Sequence, residues 1–386
     1  TVLTTADISG VIEEIVKRSG WSSGNAIGIH VDENMANIDR AQGWATVDHA
    51  SYNPPKLSVN YTPPGITIST TTTSVTEGGA TDSYTLVLNT QPTANVTITI
   101  TPSNGEATAT SSVTFTTSNW NTPKTVTVTA VNDDVDDDTT NTTLSHSVSS
   151  SDSNYNGKSV SNNTVTITDN DTAGVTRSKT TTSPTEGGAT DSYTLVLDTK
   201  PTSGVTITIT ESNGQVSATD SVSFTTSNWN TPKTVTVTAV DDDIDDGDLN
   251  TTLSHSASSS DPKYNGISIG NVTATAVDND TAGVTLSKTT TSSTEGGATD
   301  SYTIVLDSEP TSGVTITITE SNGQNSATDS VSFTTGNWDT PKTVTVTAVN
   351  DDVDDGDLDT TLSHSASSSD GNYNGISISN VTATAV

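Results

Sequence analysis

Three runs of carboxylates, spaced 109 residues apart, carry the strongest chemical signal in this sequence. The first reads Asn132-Asp133-Asp134-Val135-Asp136-Asp137-Asp138. The second is Asp241-Asp242-Asp243-Ile244-Asp245-Asp246-Gly247-Asp248, and the third Asn350-Asp351-Asp352-Val353-Asp354-Asp355-Gly356-Asp357. Carboxylates packed this closely repel one another unless a cation neutralises them. Hard oxygen ligands on a loop suit Ca2+, which takes about six to eight oxygens from carboxylates, carbonyls and water. Mg2+ suits them less, because it demands a tighter octahedron and keeps its waters. A block of like charge is also often simply solvated. A second acidic cluster follows each of the first two runs, at Asp169-Asn170-Asp171 and Asp278-Asn279-Asp280, and tilts the balance towards metal.

The elements that hold these runs repeat with them. A 109-residue unit occurs three times from about Ile66 onward, without insertion. Its markers keep step at Glu77, Glu186 and Glu295, at Trp120, Trp229 and Trp338, and at His146, His255 and His364. Between Val175–Val277 and Val284–Val386 only 14 of 103 aligned positions differ. The period is well above the roughly 20–50 residues of solenoid repeats, so each copy reads as a complete domain. The expected organisation is a leader over 1–64 and repeats over 65–173, 174–282 and 283–386.

Within the first repeat, Val96-Thr-Ile98-Thr-Ile100 and Val126-Thr-Val128-Thr-Ala130 alternate as half-buried strands do. Strands are expected at roughly 66–73, 83–89, 95–101, 111–116, 124–131, 142–149 and 163–168. Turn signals separate them, including Glu77-Gly78-Gly79, Gln91-Pro92, Ser103-Asn104-Gly105 and Asn154–Gly157. Seven short strands without a helical pattern predict an all-β fold, an antiparallel immunoglobulin-like sandwich in each repeat. In such a sandwich one pole can gather Glu77, Asp133–Asp138 and Asp169 with Asp171. The short linkers between repeats predict domains set end to end, an extended rod.

Composition agrees with thin β domains: 29% of residues are hydrophobic and 4% aromatic. Forty-six acidic against 13 basic side chains give a net charge of −33. That excludes nonspecific nucleic-acid binding and disfavours anionic membranes. No apolar run approaches a membrane span, so membrane insertion is not expected. There is no cysteine, hence no disulfide or thiolate metal site, which fits a secreted bacterial-type surface protein. The first residue, Thr1, marks a processed chain or a piece of a longer one.

The leader stands apart from the repeats. Asp7 can cap a helix over 8–18, and strands are expected over 26–31 and 57–61. Gly20-Trp21, Gly24-Asn25-Ala26 and Leu57-Ser58-Val59-Asn60-Tyr61 resemble the last third of jelly-roll modules of secreted bacterial proteins.

Several motifs in fixed order extend the reading of the repeats. They are Thr76-Glu77-Gly78-Gly79, the acidic loop, Leu144-Ser145-His146, Asn154-Tyr155-Asn156-Gly157 and Asp169-Asn170-Asp171-Thr172-Ala173-Gly174. On these, each unit resembles a Calx-β domain. The resemblance implies Ca2+ ligands at Glu77, at Asp133, Asp134, Asp136 and Asp137 with the Val135 carbonyl, and at Asp169 and Asp171. The second copy would use Glu186, Asp241, Asp242, Asp243, Asp246, Asp278 and Asp280, and the third Glu295, Asp351, Asp352 and Asp355. The Ser-Asp-Tyr segment of calcium-binding members is absent; Thr110-Ser111-Ser112 stands near its place, and Asp220 and Asp329 are the nearby carboxylates of the later copies. Thr140, Leu249 and Leu358 occupy the acidic position near the loop's end. A reduced ligand set predicts affinity towards the millimolar range of extracellular modules. The third copy reaches Val386 before any Asp-Asn-Asp, so its site is incomplete here.

Other residues read as structural. Each histidine sits in Leu-Ser-His-Ser, where alternation puts Leu and His on one face, as for a packed or edge histidine. The tryptophans, in Asn-Trp-Asn/Asp-Thr-Pro turns, are expected to plug one end of the sandwich. No Ser/His/Asp or paired-Glu motif is present, so an enzyme is not expected. The leading expectation is a calcium-binding extracellular structural or adhesive segment, secreted or at the cell surface. The alternatives are a self-assembling filament or surface layer formed by strand exchange, and a carbohydrate-binding module at the leader. Self-association into fibres and a surface glycan or protein ligand are the partners left open.

Overall fold

The computed structural model describes residues 62–386 apart from Asp352, Asp354 and Asp355. The leader helix and strands, and the ligand candidates Asp352 and Asp355, lie outside the described residues. The described chain divides into two compact units, one running to Asn132 with Thr139–Thr168, the other Asp133–Asp138 with Asp169–Val386. The acidic loop of the first repeat thus belongs to the unit holding the second and third repeats.

Nine strands form among the described residues of the first repeat. They are β1 (Ile66–Ile68), β2 (Thr72–Thr76), β3 (Asp82–Leu88), β4 (Val96–Pro102), β5 (Ala107–Ala109), β6 (Ser112–Phe115), β7 (Lys124–Ala130), β8 (Thr140–Ser150) and β9 (Asn163–Thr168). They make two sheets, ordered β1-β3-β7-β5 and β2-β9-β8-β4-β6. Thr faces water while Val, Ile, Leu and Tyr turn inward, and both sheets share one core that includes Tyr84, Leu86 and Val126 with Ile98, Leu144 and Val165. The strand expected over 66–73 breaks after Ile68, and its halves edge opposite sheets. Ile66 pairs antiparallel with Leu88, whereas Thr72 runs parallel to Thr164. The further short strand, β5, pairs Ala107 with Ala130.

The second repeat forms β10 (Val175–Arg177), β11 (Thr181–Thr182), β12 (Asp191–Leu197), β13 (Val205–Glu211), β14 (Val216–Ala218), β15 (Ser221–Phe224), β16 (Lys233–Ala239), β17 (Leu249–Ser259) and β18 (Val272–Ala276). Its sheets, β10-β12-β16-β14 and β11-β18-β17-β13-β15, repeat the first pair, and the third repeat does so again between Val284 and Ala385. The chain is therefore three tandem β-sandwiches. A composition close to that of disordered chains folds because nearly all its large apolar residues face inward; those left exposed in the described chain are Val131, Val240, Val349, Val353 and Val386. Each fully buried aliphatic side chain contributes roughly 1.5–3 kcal/mol.

A tyrosine fastens the loop after the long hairpin strand. Tyr264, 1% exposed, donates its hydroxyl to the Thr199 carbonyl at 2.7 Å and accepts the Thr199 N–H at 3.0 Å. Asp261 caps the same turn, accepting the N–H groups of Thr202 (2.7 Å) and Lys263 (2.9 Å). Gly266, at φ 74°, closes it in a conformation that disfavours side chains.

Candidate metal centre

All parts of the second repeat's acidic pole lie in one compact unit. β11 and β18 run side by side in the same direction, so the segments after them leave at the same end. A parallel bridge from Thr185 to Val277 extends that pairing, and the Glu186 N–H donates to the Val277 carbonyl at 3.0 Å. This sets Glu186 beside Asp278-Asn279-Asp280. The loop 241–248, between β16 and β17, supplies the third side. Gly187 (φ 57°) lets the chain turn there, and a Cβ on it would lie 2.6 Å from Asp241 Oδ1, so the Glu-Gly-Gly motif has a steric reason. Asn279 has one too: its Nδ2 donates to the Glu186 carbonyl at 3.0 Å.

The arrangement brings one carboxylate oxygen each from Glu186, Asp242 and Asp280 within 4.8 Å of one another. Oxygens bound to one Ca2+ at about 2.3–2.6 Å can be at most about 5 Å apart, so the spacing of the three is compatible with a single ion. Glu186 is 4% exposed, and neither its Oε2 nor Asp280 Oδ2 has a hydrogen-bond partner. An orphaned buried carboxylate oxygen is costly, and a cation would remove that cost. Burial, then the charges of Asp242, Asp278, Asp246 and Asp280, push the Glu186 carboxyl up to about 7. Burial and neighbouring carboxylates also raise Asp246 and Asp280.

Asp242 also accepts the Ile244 N–H at 2.9 Å, and the other expected ligands of this copy have side-chain or backbone contacts of their own. Asp278 accepts the N–H groups of Gly247 and Asp280, both at 2.7 Å. Asp241 Oδ1 lies 3.5 Å from Asn279 Nδ2, and Asp246 Oδ2 lies 3.5 Å from Gln215 Nε2. The Asp243 carbonyl accepts the Glu309 N–H at 2.6 Å. Asp245, absent from the expected set, accepts the Ala282 N–H at 2.8 Å and so ties the loop to the following linker. Its signal in the sequence was the constant spacing between loop and linker.

In the first copy, Glu77 is buried in the first unit, while Asp133–Asp138, Asp169 and Asp171 belong to the second. Asp169 accepts the N–H groups of Asp137 (2.8 Å), Asp138 (3.1 Å) and Asp171 (2.7 Å). Asp133 accepts that of Val135 (2.7 Å), and Asp136 that of Ala173 (2.8 Å). The Asp134 carbonyl accepts the Lys200 N–H at 2.7 Å. Asp171 Oδ2 is buried without a partner, and burial followed by Asp169, Asp134, Asp133 and Asp136 raises its pKa. In the third copy, Glu295 is half-buried with its N–H donated to the Val386 carbonyl, and Asp351 accepts the Val353 N–H at 2.8 Å. The carbonyls of Asp220 and Asp329 accept the N–H groups of Ile209 and Ile318, both at 2.8 Å.

The histidines are hydrogen-bonded to core tyrosines. Tyr84, Tyr193 and Tyr302 hydroxyls lie 2.7 Å from Nε2 of His146, His255 and His364. Nδ1 of His255 and His364 lies 2.9 Å from the carbonyls of Gly270 and Ser379. Those carbonyls require the proton on Nδ1, leaving Nε2 to accept from the tyrosine. Trp120, Trp229 and Trp338 each pack against the core of their own repeat.

Among solved structures, the chain is similar to the calcium binding domain CBD12 of CALX1.1, at 12% identity and TM-score 0.25 over 50% of this chain and 80% of that one. It is also similar to CBD12 from CALX1.2, at 13% identity and TM-score 0.22 over the same shares. A protein of unknown function from Porphyromonas gingivalis W83 matches 55% of this chain and 98% of its own, at 12% identity and TM-score 0.21. No family model and no curated protein matches the chain. Among the described residues, no helix is long and apolar enough to cross a membrane.

Proposed function

We propose that this chain is a non-enzymatic, calcium-binding segment of an extracellular or cell-surface protein, with a structural or adhesive role. The observation that carries the reading is the group formed by Glu186, Asp242 and Asp280, with oxygens within 4.8 Å and two buried carboxylate oxygens lacking any partner. Calcium suits it better than magnesium, because oxygens from separate loop segments make a flexible, all-protein cradle. The modest affinity expected from the reduced ligand set would suit a compartment where calcium is millimolar. The edge strands of the second repeat, β10, β11, β14 and β15, are two to four residues long. Short edges give little ladder for strand addition, so fibre formation by strand exchange draws no support from this repeat.

Titration calorimetry of the metal-free chain tests the reading. Ca2+ should bind with micromolar to millimolar affinity, and joint replacement of Glu186 by Gln and of Asp242 and Asp280 by Asn should remove one site. The circular dichroism of the variant should stay that of the parent. Absence of binding heat and of any melting shift up to about 10 mM Ca2+, above the weakest extracellular modules, would end the proposal.

A further inference from the structure

The acidic loops of the first and second repeats dock alike on the repeat after them, yet the lysine that the first meets is missing from the second. Lys263 Nζ lies 2.7 Å from Asp136 Oδ1 and 2.6 Å from Asp138 Oδ1. The Lys200 N–H donates to the Asp134 carbonyl at 2.7 Å, so the backbone of a second lysine adjoins the loop. One repeat later these lysines are Asn372 and Glu309. The Glu309 N–H still reaches the corresponding carbonyl, that of Asp243, and Asn372 Nδ2 donates to the carbonyl of Asp245. Backbone docking is the same in the two places while both positive charges are gone.

Asp138 sharpens the contrast. It is the one non-glycine residue at positive φ in the described chain, at 65°, where the later loops carry Gly247 (73°) and Gly356 (69°). Aspartate tolerates this region better than most residues, but glycine occupies it without steric cost. Keeping a carboxylate there gives Lys263 its second partner.

We infer that Lys263 is a tethered counter-ion for the first acidic loop, whereas the second loop draws its counter-charge from a dissolved cation. The inference rests on the cation-binding reading above and adds an order to the sites: the second binds Ca2+ more tightly than the first. The second loop carries the independent mark of a missing ligand, Glu186 at 4% exposure with Oε2 unpartnered, joined by Asp280 Oδ2. The first loop keeps one such oxygen, Asp171 Oδ2. It therefore retains a site, with part of its field already neutralised.

Two exchange variants of the full chain, Lys263→Asn and Asn372→Lys, test this with Ca2+ as the probe. Calorimetry should show Lys263→Asn tightening the weaker class of sites and Asn372→Lys weakening the tighter class, each by about three- to fivefold, the scale of one exposed ion pair. A metal-free measurement separates this inference from the reading beneath it. In chelator, amides of residues 133–138 should exchange with solvent more slowly than those of 241–248, and Lys263→Asn should abolish the difference. Calcium binding that neither exchange alters, or equal amide exchange in the two loops, overturns the tethered counter-ion alone. A parent chain that binds no Ca2+ overturns both.

Discussion

Glu186 sits where an ionised carboxylate is least stable without a cation, buried and ringed by four aspartates. Its folded pKa of about 7 lies above its ordinary value of 4.5. A raised carboxyl contributes stability that is full below the unfolded value and lost as pH rises through the folded one. In chelator, Glu186 should therefore contribute a fall in melting temperature between about pH 5 and 7.5, read as the difference between the parent and Glu186→Gln, with the variant the more stable at pH 7.5. Saturating Ca2+ should flatten it in the parent chain as well. Thermal melts across pH check all three, and an unchanged slope in the variant would remove Glu186 as its source. The histidines act in the opposite sense. Burial holds His146, His255 and His364 below their usual value, so their contribution is full above the unfolded pKa and lost as pH falls below about 6.5. With Ca2+ bound, this acid-side loss should persist, joined at lower pH by that of Asp152, Asp191, Asp300 and Asp370, whose carboxyls are held below their ordinary value. At this scale the sequence made charge and loop legible but not orientation. Adjacent aspartates differ by a rotamer and a hydrogen bond, and nothing in the run told that Asp242 would join Glu186 while Asp245 took the Ala282 N–H.

Strands and turns were more readable, because alternation and turn chemistry are local. The split of the first expected strand was not: Thr72–Thr76 gives the same alternation whichever sheet it edges, and period two carries no information about partner or direction. Yet the parallel pairing of β11 with β18 is what puts Glu186 beside Asp278–Asp280. The Asn-Tyr-Asn-Gly motif was legible as a marker, while its work emerged only as hydrogen bonds. Tyr264→Phe would strip both backbone groups of Thr199 of their buried partner, at a cost of about 1–3 kcal/mol. Its melting temperature should fall while calcium affinity stays that of the parent, as calorimetry would show. Gly187→Ala should do the reverse: positive φ and a Cβ 2.6 Å from Asp241 Oδ1 strain the acidic pole, so calcium binding should weaken more than the fold. Equal losses of affinity in the two variants would contradict this division of labour.

Across the whole molecule, 46 acidic against 13 basic groups make self-repulsion a general cost of folding, and any salt relieves it. A specific site must therefore be separated from screening. Screening saturates once the Debye length falls to a few ångströms, about 3 Å at 1 M salt, and does not depend on which cation supplies it. Site binding instead adds stability as the logarithm of cation concentration over Kd, about 2.7 kcal/mol at a hundredfold excess. Melting the chain in NaCl, MgCl2 and CaCl2 at matched ionic strength should give one shared increment from screening, with a further rise in CaCl2 that continues with concentration. Because the second and third sandwiches differ at only 14 of 103 aligned positions, their cores should respond alike to screening. The calcium-specific rise should concentrate in the second, whose pole joins Glu186, Asp242 and Asp280. Amide exchange resolved by repeat would show where it falls, and coincident curves in the three salts would reduce the acidic loops to solvated charge.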